Sequence, residues 1–593
     1  MNASPLTPPV SHVEPPPPSG PRIWAELRKS LAWVREGKQF KEGQLFLLLA
    51  VIIGLFGGLS VVLFRIAIDW TRLLAFGSGL NPPWTRLLLV PTIGGLAVAY
   101  LVIRFFPRAR GSGVNQTKAA VYIFDGYIPF NTVIGKFITC ALAIGTGQSL
   151  GPEDPSLQMG AGIASALGRR LRLSREKVRL IAPVGAAAGL AAAFNAPISA
   201  VIFVIEEVIG NWNAGVLGAI VLSAVSSVIV SRWFLGDQAL FRIPAYHLVH
   251  PAELLAYAAL GVIGGVSSIA FVKLVAYARP RLKALPRWTQ YVQPAVAGLL
   301  IGIIGIWFPQ VMGAGYGFID QAMHDQFTWQ ILALLAAFKI LSSSLSFVSG
   351  TPGGMFAPTL FIGAMLGGAV GSVEHHFFPW LTGGLGAYAL VGMGTLFAGF
   401  LRVPLTSVFM VLEVSGNYSI ILPVMISNTI AYLISRQYQE TSLFDLLSRQ
   451  DGMDLPSMEE RREEISVHVE DAMHAYQGAV LNIEEPLKTA VARAEESTED
   501  FVFVEDGLGK WFGMTREDLR SQARTLPEGA TLRSVLPHDP LPHVHPDHAL
   551  EEAMRRLGDL RLLPVVNRAN FHKLEGVVGL PDILRAYRAA GWV

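Results

Sequence analysis

Two adjacent carboxylates, Glu153 and Asp154, sit in the stretch Gly151-Pro-Glu-Asp-Pro155, inside the most apolar half of the sequence. An unpaired carboxylate in hydrocarbon is costly, so such residues face a protein interior, pair, change protonation or mark an ion or proton path. The chemistry expected of Glu153 is that of a titratable gate on an anion pathway. Three glycine-bracketed segments, 111–113, 151–155 and 354–358, each open an apolar helical stretch. A helix start offers free N–H groups and a partial positive charge, so three of them converging would hold an anion without any full cation. A central lysine would trap the ion, whereas conduction requires release. Glycines also serve close helix packing, but three such segments, related in pairs by a repeat, weigh toward an anion site.

The elements that must position these residues follow from composition. Of 593 residues, 51% are hydrophobic and only 16% charged, with 59 glycines. Soluble domains carry closer to about a quarter charged residues, and uncharged runs of about 20 residues mark spanning helices. Leu45 to Phe64 is such a run, and the chain reads as an integral, multi-pass membrane protein whose apolar faces meet membrane lipid. Further apolar segments fall near 87–105, 131–144, 180–205, 213–234, 252–277, 292–307, 329–346, 358–371, 386–400 and 418–435. Several are too short to span or are cut by Gly and Pro. Broken helices at membrane depth are tolerated only where the freed backbone is buried in protein or lines a cavity, which points to a mid-membrane site.

Residues 1–21, rich in proline, read as a disordered tail and not as a cleaved signal peptide. The basic residues from Arg22 to Lys41 place the N-terminus in the cytoplasm. A single cysteine, Cys140, leaves no disulfide framework or Cys-based metal cluster. No HExxH and no nucleophile elbow indicates an enzyme, and a net charge of +2 gives no reason for a nucleic-acid partner.

An internal repeat sharpens the reading. Phe106-Pro107 with Gly111-Ser-Gly113 recurs as Phe308-Pro309 with Gly313-Ala-Gly315, and Gly151-x-x-x-Pro155 recurs as Gly354-x-x-x-Pro358. Pro197 to Glu206 recurs as Pro404 to Glu413. Two halves of about 200 residues are the pattern of a repeat-built transporter, whose substrate lies where the halves meet. Positions alike in both halves are scaffold, and those that differ are functional candidates. Ser112 stands opposite Ala314, Glu153 opposite Phe356 and Glu207 opposite Val414, whereas Glu206 has a mate in Glu413. The expected organisation is an N-terminal tail (1–42), membrane repeats at 43–240 and 241–450, and a polar segment at 451–593. That segment holds two similar units, about 466–525 and 530–590, each read as strand, helix, strand, strand, helix in a soluble α/β module.

Gly111-Ser112-Gly113, Gly151-Pro-Glu153-Asp-Pro155 and Gly354-Met-Phe356-Ala-Pro358 resemble the GSGxP, GxExP and GxFxP signatures of the CLC family of chloride channels and chloride/proton exchangers. The two C-terminal units look like its paired CBS domains. The resemblance implies an all-α, inverted-repeat membrane domain with broken helices followed by an α/β CBS pair. It also implies a homodimer with one pore per subunit, multi-pass in a bacterial inner or plasma membrane, with both termini cytoplasmic. Chloride and protons would be its substrates, and no cofactor would be required.

Carried over residue by residue, the resemblance makes Ser112 a hydroxyl donor to chloride. Backbone N–H groups around Gly354, Met355 and Phe356 complete the cradle, and Glu153 is the gate. Glu207 matches the internal proton-transfer glutamate of the exchangers; the plain alternative is a solvated carboxylate at a helix end. Lys136 matches a lysine that would contribute positive potential. The family's central tyrosine falls on Phe444, which removes a phenolic donor, and Asn115 and Asp154 replace the usual proline and glycine. Asp154 is expected to cap the helix that follows it. In the tail, Thr515-Arg-Glu-Asp518 keeps the pattern with which CBS domains hold a nucleotide ribose, whereas Gly579-Leu-Pro-Asp582 lacks the hydroxyl. An adenine nucleotide there and a ligand-free dimerising domain are both open. So are two functions, chloride/proton antiport and a passive proton-gated chloride channel in which Glu207 is uncoupled.

Overall fold

The structure is a computed structural model. It describes residues 42–589 apart from 79–81, 211–213, 237–240, 242–249, 381, 440, 454, 456–466, 508, 528–529, 538 and 569. The expected N-terminal tail and the basic run before the first span lie outside the described residues. The chain divides into two compact units, one ending at Leu455 and the other beginning at Pro456.

The first unit is helical. Its first half contains α1 (Glu42–Phe76), α2 (Trp84–Arg104), α3 (Gly113–Tyr122), α4 (Phe130–Gly145), α5 (Glu153–Arg170), α6 (Arg175–Phe194), α7 (Pro197–Phe203) and α8 (Ala214–Leu235). Its second half contains α9 (Glu253–Ala284), α10 (Gln293–Trp307), α11 (Tyr316–Met323), α12 (Trp329–Val348), α13 (Phe356–Phe377), α14 (Leu385–Leu401), α15 (Pro404–Ser415) and α16 (Ile421–Tyr438). The short α17 (Leu443–Gln450) closes the unit. Eight of the described helices are long and apolar enough to cross a bilayer. The segment expected at 180–205 is two helices. Asn195 takes a left-handed conformation after α6, and Pro197 starts α7, where its fixed φ and missing N–H suit the first helical position. Arg402 and Pro404 make the same break between α14 and α15.

Each half packs alike: α1 on α8, α5 on α6, and correspondingly α9 on α16, α13 on α14. The α5–α6 crossing depends on Gly160 and Gly185, where an added Cβ would lie 2.1 and 2.2 Å from the opposite glycine's carbonyl. Gly363 and Gly392 repeat this at the α13–α14 crossing, at 2.3 and 2.2 Å. With no water to expel between helices in lipid, small residues that allow close backbone approach carry the association.

Two reciprocal contacts show that the repeat is inverted. Gly151 N–H donates to the Gly354 carbonyl and Gly354 N–H to the Gly151 carbonyl, both at 2.8 Å, in an antiparallel bridge. Glu206, beyond α7, accepts from Thr406 N–H (3.0 Å) and Thr406 Oγ1 (2.7 Å) at the start of α15. Glu413, near the end of α15, accepts from Ile198 N–H (2.8 Å) and Ser199 N–H (2.7 Å) at the start of α7. Each helix caps the start of its twin, so the two run in opposite directions.

The second unit holds α18 (Val469–Ala472), β1 (Val480–Asn482), α19 (Leu487–Glu495), β2 (Phe501–Glu505), β3 (Trp511–Thr515), α20 (Arg516–Ala523), α21 (Leu550–Leu557), β4 (Leu562–Val566), β5 (Leu574–Gly579) and α22 (Leu580–Ala589). β1 pairs parallel with β2, and β2 antiparallel with β3. β4 pairs antiparallel with β5. The segments expected to open each unit, near Val467–Met473 and Leu532–Leu536, contain helical turns instead of strands. The leading strand comes later, at β1 and as a single parallel bridge from Val544 to Val565. His474 bridges to Val577 on β5 and Leu541 to Trp511 on β3, so each half lends a segment to the other's sheet.

Candidate functional site

Three helix starts meet in the membrane unit. Ser112 caps α3, Glu153 is the first residue of α5 and Phe356 the first of α13. The Gly151–Gly354 bridge ties the last two together, and a Cβ on Gly354 would lie 2.7 Å from the Cβ of Asp154. A narrow crevice at this junction is lined by Ser112, Asp154, Met355, Phe356 and Phe444, with Phe347 and leucines behind them. Phe444 lies 6.3 Å from Phe356 and 6.4 Å from Phe203 between ring centroids. Its wall of the crevice is therefore aromatic and carries no hydroxyl. Asn115 Nδ2 donates to the Phe444 carbonyl at 2.8 Å, which fixes α17 against α3.

Glu153 is fully buried. One carboxylate oxygen accepts from Ala357 N–H at 3.3 Å in the first turn of α13, and the other has no hydrogen-bond partner among the described residues. Asp154 departs from its expected role as a cap of its own helix. Its Oδ1 accepts from Val114 N–H at 2.6 Å and lies 3.4 Å from Ser112 Oγ, so it caps α3. The register of α5 is the reason: consecutive side chains at the helix start point to different sides, toward α13 for Glu153 and toward α3 for Asp154.

Glu206 and Glu413 act as the reciprocal helix caps described above, and Glu207 belongs to a different arrangement. The helix opened by Pro197 ends in a π-turn, Val204–Ile209, closed by left-handed Gly210. Its twin stays α-helical from Pro404 to Ser415 before left-handed Gly416. The first repeat therefore carries one more residue between the glutamate mate and the closing glycine, and a π-turn absorbs one added residue. Glu207 falls at this insertion, so its match with Val414 is not position for position. Its carboxylate is buried, not solvated, and pairs with Lys118 Nζ at 2.7 Å; Asp445 lies 3.3 Å from the same nitrogen.

Lys118 escaped the sequence reading, although the argument applied to Glu153 covers any charge on an apolar helix. Lys136 Nζ donates to the Gly111 carbonyl at 2.6 Å, and its repeat counterpart Lys339 donates to the Gly313 carbonyl at 2.7 Å. Both lysines hold the turn that precedes a short helix, which marks them as scaffold by the repeat's own logic.

In the second unit, Thr515 Oγ1 accepts from Asp518 N–H at 3.1 Å and donates to Asp518 Oδ2 at 2.5 Å. Both residues line an open cleft of about 380 Å³ with Phe501, Met514 and Gln522, within the range of roughly 300–1,000 Å³ usual for small-molecule sites. Asp582 is absent from this lining. It accepts from Gly579 N–H at 3.0 Å and lies 3.3 Å from His474 Nδ1.

These features define a multi-pass membrane protein of inverted-repeat, broken-helix design, with helix starts gathered at a central crevice. The chain belongs to the voltage gated chloride channel family, whose model matches residues 94–436, and a CBS domain matches residues 532–589. It is 33% identical over 414 residues to a Ralstonia nicotianae protein named "Putative chloride channel protein ClcB-like", covering 67% of this chain and 95% of that one. It is 32% identical to the H(+)/Cl(-) exchange transporter ClcA of Vibrio campbellii, over 66% of this chain and 86% of the relative. The fold is similar to the crystal structure of a slow cyanobacterial Cl-/H+ antiporter, with a TM-score of 0.64 and 26% identity over 69% of this chain and 98% of that one.

Proposed function

We propose that the protein exchanges chloride for protons across a membrane. Glu153 is its gate, Glu207 its second proton station, and Ser112 with the backbone around Gly354, Met355 and Phe356 its anion cradle. The observation that carries this reading is a pair of buried carboxylates, one at the crevice and one held on the short helix that Ser112 opens. Glu153 reaches the start of α13 at the crevice. Glu207 pairs with Lys118 six residues along α3 from Ser112, about 9 Å at the helical rise. A neutral Glu153 would release the α13 N–H that its carboxylate accepts, and that donor then serves an anion. The relatives named as H(+)/Cl(-) exchangers support the same reading.

In this reading the protein is a homodimer with cytoplasmic termini, in a bacterial inner membrane. A second reading, the passive channel, draws on one observation: the Glu207 carboxylate is engaged by Lys118 at 2.7 Å in a buried pair that Asp445 shares, which suits a structural tie as well as a proton station. Simultaneous chloride and proton recording on purified protein in liposomes tests both. A chloride gradient is expected to drive protons uphill, and Glu153→Gln to abolish the proton movement. Chloride flux without proton movement selects the channel, and no chloride flux overturns anion transport.

A further inference from the structure

Asp154 is the feature that the exchange reading does not use. The repeat places Ala357 opposite it, so the scaffold does not need a carboxylate there. It is only 2% exposed, and its Oδ1 sits on the start of α3, 2.6 Å from Val114 N and 3.4 Å from Ser112 Oγ. These are donors that an anion at Ser112 would require. The surroundings are shaped around this side chain: a Cβ on Gly113 would lie 2.5 Å from the Asp154 carbonyl and 3.0 Å from Oδ1. Beside it, Glu153 Oε1 and Asn115 Oδ1 are buried oxygens with no hydrogen-bond partner among the described residues.

The charged and titratable groups around Asp154 are few. Lys136 and Cys140 face it from α4, and Glu153 adjoins it on α5 with Arg65 and Asp69 of α1 beyond. Among the described residues, none forms an ion pair with it within 4 Å, because Lys136 is turned to the Gly111 carbonyl. Asp154 is thus in direct contact with helix-start donors, while Lys136 acts on it from beyond ion-pair distance.

We propose that Asp154 is a built-in competing anion. Ionised, it holds the Ser112 and Val114 donors, so chloride occupies the α3 side of the crevice only when Asp154 takes up a proton or leaves. This inference rests on the anion-transport reading and adds to it a second carboxylate that chloride must displace. Two carboxylates rather than one then link anion entry to acid, and chloride uptake rises steeply as pH falls.

The test is chloride binding by calorimetry and chloride flux in liposomes, for the parent, Asp154→Gly and Asp154→Asn, between about pH 7.5 and 4.5. At the upper end, Asp154→Gly is expected to bind chloride about ten- to a hundredfold more tightly, the worth of one or more charge-assisted hydrogen bonds returned to the ion. Asp154→Asn, which keeps the shape without the charge, is expected to fall between. The steepness of flux against pH is expected to drop in both variants. Should Asp154→Gly fail to fold, Asp154→Asn decides by itself. Unchanged chloride affinity and unchanged pH steepness in the folded variants would overturn the inference and leave the transport reading intact. No chloride flux in the parent or any variant would overturn both.

Discussion

Replacing Lys118 with methionine is the perturbation that the structure makes most quantitative. Lys118 is 1% exposed and holds two carboxylates, Glu207 at 2.7 Å and Asp445 at 3.3 Å. Methionine keeps the unbranched shape and most of the length of the side chain and removes its charge. Breaking a buried pair from one side costs about 3–5 kcal/mol, because the remaining charge stays buried without compensation. Glu207→Gln acts on the same pair from the other side and costs less. Lys118 keeps Asp445, and the glutamine oxygen can still accept its hydrogen bond, so the loss is nearer the ~1.5 kcal/mol difference between charged and neutral acceptors. The double variant removes one stranded charge and is expected to recover about half of the Lys118→Met deficit.

Thermal unfolding of the three purified variants in detergent checks this order, and a double-mutant cycle isolates the coupling. If Lys118→Met is tolerated as well as Glu207→Gln, or if the double variant is no better than Lys118→Met, the pair is not the buried link described here. In liposomes Glu207→Gln is expected to keep chloride flux and lose proton flux.

Two further predictions follow from contacts outside the crevice. Glu413→Gln weakens three hydrogen bonds at the start of α7 and is expected to destabilise the membrane unit by about 1–3 kcal/mol; Glu206→Gln should match it in the same unfolding measurement, as the twofold relation requires. If the tail binds an adenine nucleotide in the Thr515 cleft, Thr515→Ala is expected to weaken binding about tenfold by calorimetry, whereas Asp582→Ala, outside that cleft, should leave it unchanged.

Much of this architecture was legible in the sequence. Charge avoidance over long stretches marked the membrane unit, and the glycine and proline pattern marked the three helix starts. The repeat separated paired scaffold residues from unpaired candidates, as with Glu206 and Glu413, which have each other, although the same comparison for Lys136 and Lys339 was made only once both were seen on matching turns. Those signals are local or periodic, and they survive without knowledge of what touches what. Direction and partnership do not. The repeat's residues alone do not say that it is inverted; the family resemblance implies it, and the contacts of Glu206 with the start of α15 and Glu413 with the start of α7, more than 190 residues away in sequence, show it.

The two carboxylates that anchor the site show the same division. Sequence alone determined that Glu153 and Asp154 are anomalous in their surroundings. Only tertiary structure decided that one turns to α13 and the other to α3, because adjacent side chains at a helix start diverge, and what each meets depends on which helices have been packed there. Glu207 is parallel: its carboxylate was visible in the sequence, but the π-turn over Val204–Ile209 and the distant Lys118 that hold it were products of the packed fold.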